Sequence, residues 1–120
     1  MTDRSKIKKE FKQTLTPMGI FQIKNKCNGK VFIGKAMNLL GIMRRHQFEL
    51  KMGSHRNVDM QRDWQEMGEE QFSFEILDQL TPKEDPSYRH EDDLATLEDM
   101  WLEKLQPYGE KGYNKRKAQQ

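Results

Sequence analysis

Two runs of β-branched and aromatic residues, Gly19-Ile20-Phe21-Gln22-Ile23-Lys24 and Lys30-Val31-Phe32-Ile33-Gly34, flank a short polar stretch that ends in Asn28-Gly29. Asn and Gly both tolerate positive φ, so such a pair between such runs is a strong hairpin signal. A third alternating run, Gln71 to Leu77, places Phe72, Phe74 and Ile76 on one face as a strand. Between these strands the sequence turns helical. Asn38 caps a helix running to about Met52 with Gly53 as its stop, and Asn57 caps another that ends near Gly68. Residues 78–92, with Pro82, Pro86 and many charges, read as a loop; Asp92 or Asp93 starts a last helix that Pro107 closes. Ahead of the hairpin, Ile7, Phe11 and Leu15 lie four apart among lysines and predict a short amphipathic helix over residues 5–15, ended by Thr16-Pro17. The order predicts an α+β domain: a three-stranded antiparallel sheet flanked by helices, with an extra helix in front.

The 120 residues fit one domain. Leu, Ile, Val and Phe together number only 24, so the core is small. No apolar run approaches the ~20 residues a bilayer requires, which excludes a membrane span from the expected partners. The opening MTDRSKIKKE is charged throughout and lacks a secretory signal's apolar stretch. Cys27 is the sole cysteine, so no intrachain disulfide forms, and a reduced, cytoplasmic setting is expected. The net charge of +2 hides a division: residues 1–62 carry 14 basic and 4 acidic side chains, and residues 63–107 carry 3 and 14. The tail 108–120 adds 4 basic and 1 acidic. A basic front and tail suit a polyanion such as DNA; pairing of the two halves with each other explains the same numbers equally well.

Two polar residues fall on apolar helix faces. At 100° per residue the last helix gathers Leu94, Leu97, Trp101, Leu102 and Leu105 into one stripe that includes Glu98, while Asp99 and Glu103 turn towards the other side. A carboxylate on a buried face calls for a metal ion or an arginine opposite it, unless it lies at the stripe's edge and reaches water. On the helix after Asn38, His46 sits among Leu39, Ile42, Met43 and Leu50, where a hydrogen-bonded core histidine is the commoner occupant than a catalyst.

The segment Met18 to Asn25, followed by Asn28 to Gly34, resembles the paired signature of the GIY-YIG endonuclease superfamily. The resemblance continues through Arg45-His46, Gly53 to Asn57, Met60 to Trp64, Gly68, Phe72 to Leu77, Leu97 to Trp101 and Gly112-Tyr113-Asn114, in order and at family spacing. It looks most like a small bacterial group that carries a LuxR-type regulator label, a label that does not itself imply transcriptional control. The resemblance implies a three-stranded antiparallel sheet and cleavage of DNA phosphodiester bonds with one divalent ion, Mg²⁺ or Mn²⁺, on the residue matching Glu98. It also implies hairpin tyrosines that handle the attacking water, an arginine for the transition-state phosphate, and an asparagine, here Asn114, that holds the site together.

Both signature tyrosine positions hold phenylalanine, Phe21 and Phe32, so neither offers a hydroxyl. Counted from Gly34, the arginine position falls on Ile42, with Arg45 three residues on as its nearest substitute. His46, His55, Glu98 and Asn114 match. Loss of a general base commonly costs roughly 10²–10⁴ in rate, and loss of a transition-state cation is comparable.

The expected reading is therefore a DNA-binding, endonuclease-like domain with hydrolysis impaired or lost. Its phosphate contacts would come from Lys24, Lys35, Arg44, Arg45, Arg56 and Arg62, joined by Lys26, Lys30 and the tail Lys115-Arg116-Lys117. Two alternatives stand beside it. One is an active metal-dependent endonuclease using His46, His55 or a metal-bound hydroxide as base. The other is a protein adaptor that uses the acidic stretch 78–99, with Tyr88, Trp64 and Trp101 as anchors, although Trp101 fits the core better than the surface. Three parts are expected: a basic extension over 1–17, the nuclease-like domain over 18–114 and a basic tail over 115–120. The extension would cover the sheet or mediate self-association as a homodimer, and its 17 residues are not expected to hold a separate DNA-targeting domain.

Overall fold

The computed structural model describes residues 17–85 and 87–116. The expected helix over 5–15 and Lys117 lie outside them. Strands β1 (Met18–Asn25), β2 (Val31–Ala36) and β3 (Phe72–Leu80) form one antiparallel sheet in the order β2-β1-β3. Helices α1 (Leu39–Met52) and α2 (Val58–Met67) connect β2 to β3, and α3 (His90–Leu105) follows. The fold is the α+β architecture expected from the sequence. Among the described residues no helix is long and apolar enough to cross a membrane.

The hairpin turns over a five-residue loop rather than a two-residue one. Gly29 alone carries the positive φ, +80°. Asn25 and Asn28 work through their side chains instead, their Oδ1 atoms accepting from the N–H groups of Cys27 and Lys30, both at 2.9 Å. Such Asx geometry lets the side chain replace a turn's backbone partner.

Strand alternation divides the interior into two cores. Phe21 and Ile23 face α1 and α2 with Leu39, Leu50, Met60, Trp64 and Phe72, and Phe32 and Phe74 pack against them. Ile20 and Ile33 face α3 with Leu102, joined by Val31, Leu77, Leu97, Trp101 and Leu105. Both helix stripes thus point inward as their periodicity requires. Trp64 is buried in the first core and Trp101 packs in the second, donating to Asp78 Oδ2 at 3.0 Å. This corrects the place of Trp64 as an adaptor anchor, while Trp101 packs in the core as its position in the helix stripe implies.

Two boundaries differ from expectation. β3 continues to Leu80, because past a bulge at Ile20/Phe21 the pairing resumes with Ile20 opposite Asp78 and Met18 opposite Leu80. The bulge makes Leu77 the extra residue, and it packs in the α3 core. Helix α3 begins at His90, and no aspartate caps it: Arg89 occupies the N-cap without a side-chain bond, while Glu91, Asp92 and Asp93 in the first turn supply charge against the helix N-terminus. By contrast Asn38 and Asn57 cap α1 and α2 as expected, accepting from Gly41 and Met60 N–H, each at 3.0 Å.

The outer edge of β2 is covered by the chain after α3. Gly112 bridges Val31 in parallel, and the Tyr113 N–H donates to Val31 O at 2.8 Å. Asn114 then brackets Ile33, accepting from its N–H and donating to its carbonyl, both at 2.8 Å. Gly112 is required there, since a Cβ would stand 2.4 Å from the Pro107 backbone.

Candidate active site

The α1/α2 face of β1 and β2 carries an aromatic cluster with two histidines at its rim. Phe21 is fully buried, its ring lying over Gly34, where a Cβ would come within 2.7 Å of Phe21 Cζ. Phe32 stands 6.2 Å from Phe21, centroid to centroid, and the His46 ring lies 5.3 Å from Phe21 and 5.5 Å from Phe32. α1 delivers His46 because its buried face is the one that meets β1. Phe32, His46 and His55 line an open cleft of about 640 Å³ together with Ile42, Arg45, Glu49, Arg56, Asn57 and Lys115.

His55 is buried, and its backbone N–H and both ring nitrogens are engaged. Its N–H donates to Gln61 Oε1 at 2.9 Å, and Gln61 Nε2 in turn donates to Leu50 O at 2.9 Å. Its Nδ1 accepts from the Asn57 N–H at 3.0 Å, and its Nε2 lies 2.7 Å from His46 Nδ1. Burial is the main cause that lowers the His46 pKa to about 4, with His55 and Arg45 adding to it and Glu49 opposing. Burial likewise lowers that of His55, against Glu49. Both rings are therefore neutral at pH 7. Glu49 reaches the pair, its ligand atom and those of His46 and His55 all lying within 4.8 Å of one another.

Glu98 belongs to the other face. Its side chain, 15% exposed, meets Lys35 Nζ at 3.5 Å, and Lys35 shares the Ile33 face of β2, opposite to Phe32. The cation expected opposite this carboxylate is thus a lysine, not an arginine. The structure brings together Phe21, Phe32, His46 and His55; it sets Glu98 with Lys35 and not with the histidines. Asn114 grips β2 between them at Ile33.

The other expected cations are unevenly placed. Arg45 pairs with Glu49 at 3.2 Å, and Arg62 with Asp59 and Asp63 at 3.5 and 3.7 Å. Lys24 and Arg44 are exposed and Arg56 lines the cleft, with no ion pair among the described residues. Of the adaptor residues, Tyr88 stays on the surface, bonded to Asp93.

Sequence reading missed three contributors. Glu49 follows His46 by one turn, a spacing that points to it. Gln61 gives no outward sign, since its role is to hold two backbone groups. Asn57 was legible as a helix cap only; its Nδ2 also donates to Tyr113 O at 2.7 Å, tying the histidine loop to the final Gly-Tyr-Asn.

The three-stranded antiparallel sheet between helices thus carries histidines over its first hairpin and a carboxylate on its last helix. No family model matches the chain. The chain is 32% identical over 87 residues to intron-associated endonuclease 1 of Enterobacteria phage T4, a match that covers 72% of the chain and 32% of that protein. The chain thus spans about a third of the curated relative's length. The solved catalytic domain of homing endonuclease I-TevI superposes with a TM-score of 0.68 at 29% identity, covering 83% of the chain and 99% of that domain. A Glu→Ala variant of that domain gives a TM-score of 0.67 at 28% identity. The chain is homologous to the I-TevI catalytic domain and shares its fold, and this homology supports the GIY-YIG superfamily.

Proposed function

We propose that this chain is a DNA-binding, endonuclease-like domain of the GIY-YIG superfamily in which phosphodiester hydrolysis is impaired or lost. One observation carries the reading: the hairpin rings nearest the histidines, Phe21 and Phe32, are hydrocarbon to their tips, and Phe21 is sealed at 1% exposure. No hydroxyl stands there to orient or deprotonate water. Ile42, at the arginine position, lines the cleft as an apolar group, and Arg45, three residues on, forms an exposed pair with Glu49 at 3.2 Å. Binding is supported by the relatives, which are named as endonucleases, and by the cations around the cleft, where Arg56 and Lys115 join Arg45. Such contacts bind phosphate backbones with strong salt dependence and little sequence preference.

The divalent ion implied by the superfamily would be held by Glu98. A single carboxylate beside a half-exposed lysine suits Mg²⁺ or Mn²⁺, hard cations that keep most of their water and take one or two carboxylates plus substrate phosphate. It does not suit an ion that needs a full protein cage. When bound, such an ion polarises a phosphate and stabilises charge on the leaving oxygen.

Plasmid nicking with Mg²⁺ and separately with Mn²⁺, wild type beside Glu98→Ala, together with a gel shift across a salt series, tests the reading. Retardation at low salt with no nicking by either protein is expected. Nicking by wild type and not by Glu98→Ala would establish an active metal-dependent endonuclease instead, and absence of binding at low salt would remove DNA as the partner.

A further inference from the structure

A backbone N–H can only donate. The Asn57 N–H points at His55 Nδ1 at 3.0 Å, so that nitrogen must present its lone pair. A neutral imidazole then carries its proton on Nε2, and Nε2 of His55 faces His46 Nδ1 at 2.7 Å. His46 Nδ1 must in turn accept, which leaves the His46 proton on Nε2. That last nitrogen makes no hydrogen bond among the described residues, and its ring lines the cleft. The opposite polarity would strip both nitrogens of His55 of protons and leave an imidazolate, whereas a neutral imidazole always keeps one N–H.

We infer that the Asn57 main-chain N–H sets the polarity of the His55–His46 pair, so that His46 meets the cleft as an Nε2–H donor. Asn57 is thereby a positioning residue, and the pair is suited to an anionic oxygen rather than to abstracting a proton or sharing a metal.

The geometry also argues against a shared ion. Two nitrogens on one tetrahedral Zn²⁺ at about 2.0–2.1 Å stand roughly 3.3 Å apart, whereas these are 2.7 Å apart. Metal on His55 Nε2 would also force a proton onto Nδ1, against the Asn57 donor. So Glu49, although within reach, completes no three-ligand site without rotation of a ring. Low pKa values in both rings agree with a pair that stays neutral. The identity of the anion as a DNA phosphate rests on the functional reading above; the polarity does not.

Long-range ¹H–¹⁵N spectra of histidine-labelled protein at pH 7 read each tautomer directly. Both rings are expected with Nδ1 unprotonated and Nε2 protonated. A protonated Nδ1 on His46 or His55 overturns the inference, as does stoichiometric addition of Zn²⁺ that moves both rings together. Asn57→Ala and Asn57→Pro separate the backbone donor from the side chain, for both lose the helix cap and only the second loses the N–H. The φ of −80° at Asn57 lies close to the value a proline ring imposes. Mixed tautomers are expected in Asn57→Pro and not in Asn57→Ala; equal disorder in both would assign the effect to the cap and overturn the role of the N–H. If the proline variant does not fold, the wild-type spectrum and the Zn²⁺ titration still decide. Nicking by wild type with the expected tautomers would defeat the impaired-hydrolysis reading and leave this inference standing.

Discussion

The two faces of the sheet treat their polar groups differently. On the α1/α2 side, His55 has its N–H and both ring nitrogens engaged, and the pair is wedged among Phe21, Phe32 and the cleft wall. On the α3 side, Glu98 meets a lysine whose side chain is 45% exposed. The first arrangement is built into the packing and cannot rearrange without moving a core. The second is an ion pair that water, salt or another cation can replace. Rigid presentation of donors thus lies on one side of β2 and exchangeable charge on the other, with Asn114 fixing the strand between them.

The sharpest way to break this contrast is Phe21→Ala. Truncating a fully buried phenylalanine removes the ring over Gly34 and the surface against which His46 packs; a loss of about 3–5 kcal/mol is expected. Urea unfolding of the variant checks it, and a change below about 1 kcal/mol would mean that the α1/α2 face is loosely packed after all.

A smaller effect is expected from Tyr113→Phe. The Tyr113 hydroxyl donates to Asp63 Oδ2 at 2.7 Å and accepts from Asn25 Nδ2 at 3.0 Å, with Asn28 donating to the same carboxylate at 3.2 Å. Burial chiefly, and the bond to Asp63, push its pKa up to about 12. Losing the hydroxyl leaves buried Asn25 and Asp63 short of a partner, so about 1–3 kcal/mol of stability should be lost. Thermal melts of the two variants measured side by side should keep this order.

Acid titration probes the histidines of the cleft. Well above pH 6.5 His46 is neutral both folded and unfolded, so it adds no pH dependence there. As pH falls below 6.5 the unfolded chain takes up a proton that the folded ring refuses, and stability declines until about pH 4, where the folded ring also titrates. The lowered pKa of His55 adds to the same slope. Comparing urea midpoints of wild type and His46→Asn from pH 7.5 to 4.5 isolates the contribution; the wild-type curve should fall more steeply. Parallel curves would mean that the rings are solvated and the pair is loose.

These expectations also show what the sequence could and could not carry. The hairpin runs, the caps at Asn38 and Asn57 and the stripes of α1 and α3 are local signals, set by period and by single residues, and the structure follows them. The extension of β3 to Leu80 was hidden because its pairing depends on β1, distant in sequence, and on a bulge that resets the alternation at Leu77. The start of α3 was misplaced because side-chain caps are only one way to satisfy a helix N-terminus, and Glu91, Asp92 and Asp93 supply charge there instead. At the site, His46 and Glu98 stood out as polar residues on apolar faces, yet the facts that separate them are tertiary. Whether Glu98 meets an arginine, a metal or Lys35 depends on which face of β2 it packs against. The Asn57 N–H is written in no side chain at all.

The finest test of the contrast is Lys35→Met. An exposed ion pair contributes about 0–1 kcal/mol, so unfolding should barely change. Glu98, however, would lose the one cation it meets among the described residues and would stand open on the α3 face. If it holds a divalent ion, Mn²⁺ must displace the Lys35 ammonium in the wild type, and its removal should tighten Mn²⁺ binding by about fivefold, the upper end of the same ~0–1 kcal/mol expressed as affinity. Paramagnetic broadening of Glu98 neighbours during Mn²⁺ titration measures this, with Glu98→Ala as the blank. Equal affinity in wild type and Lys35→Met would show that the lysine does not guard the carboxylate. Broadening centred on His46 instead would place the ion on the opposite face and reverse the division of roles argued for the two sides of β2.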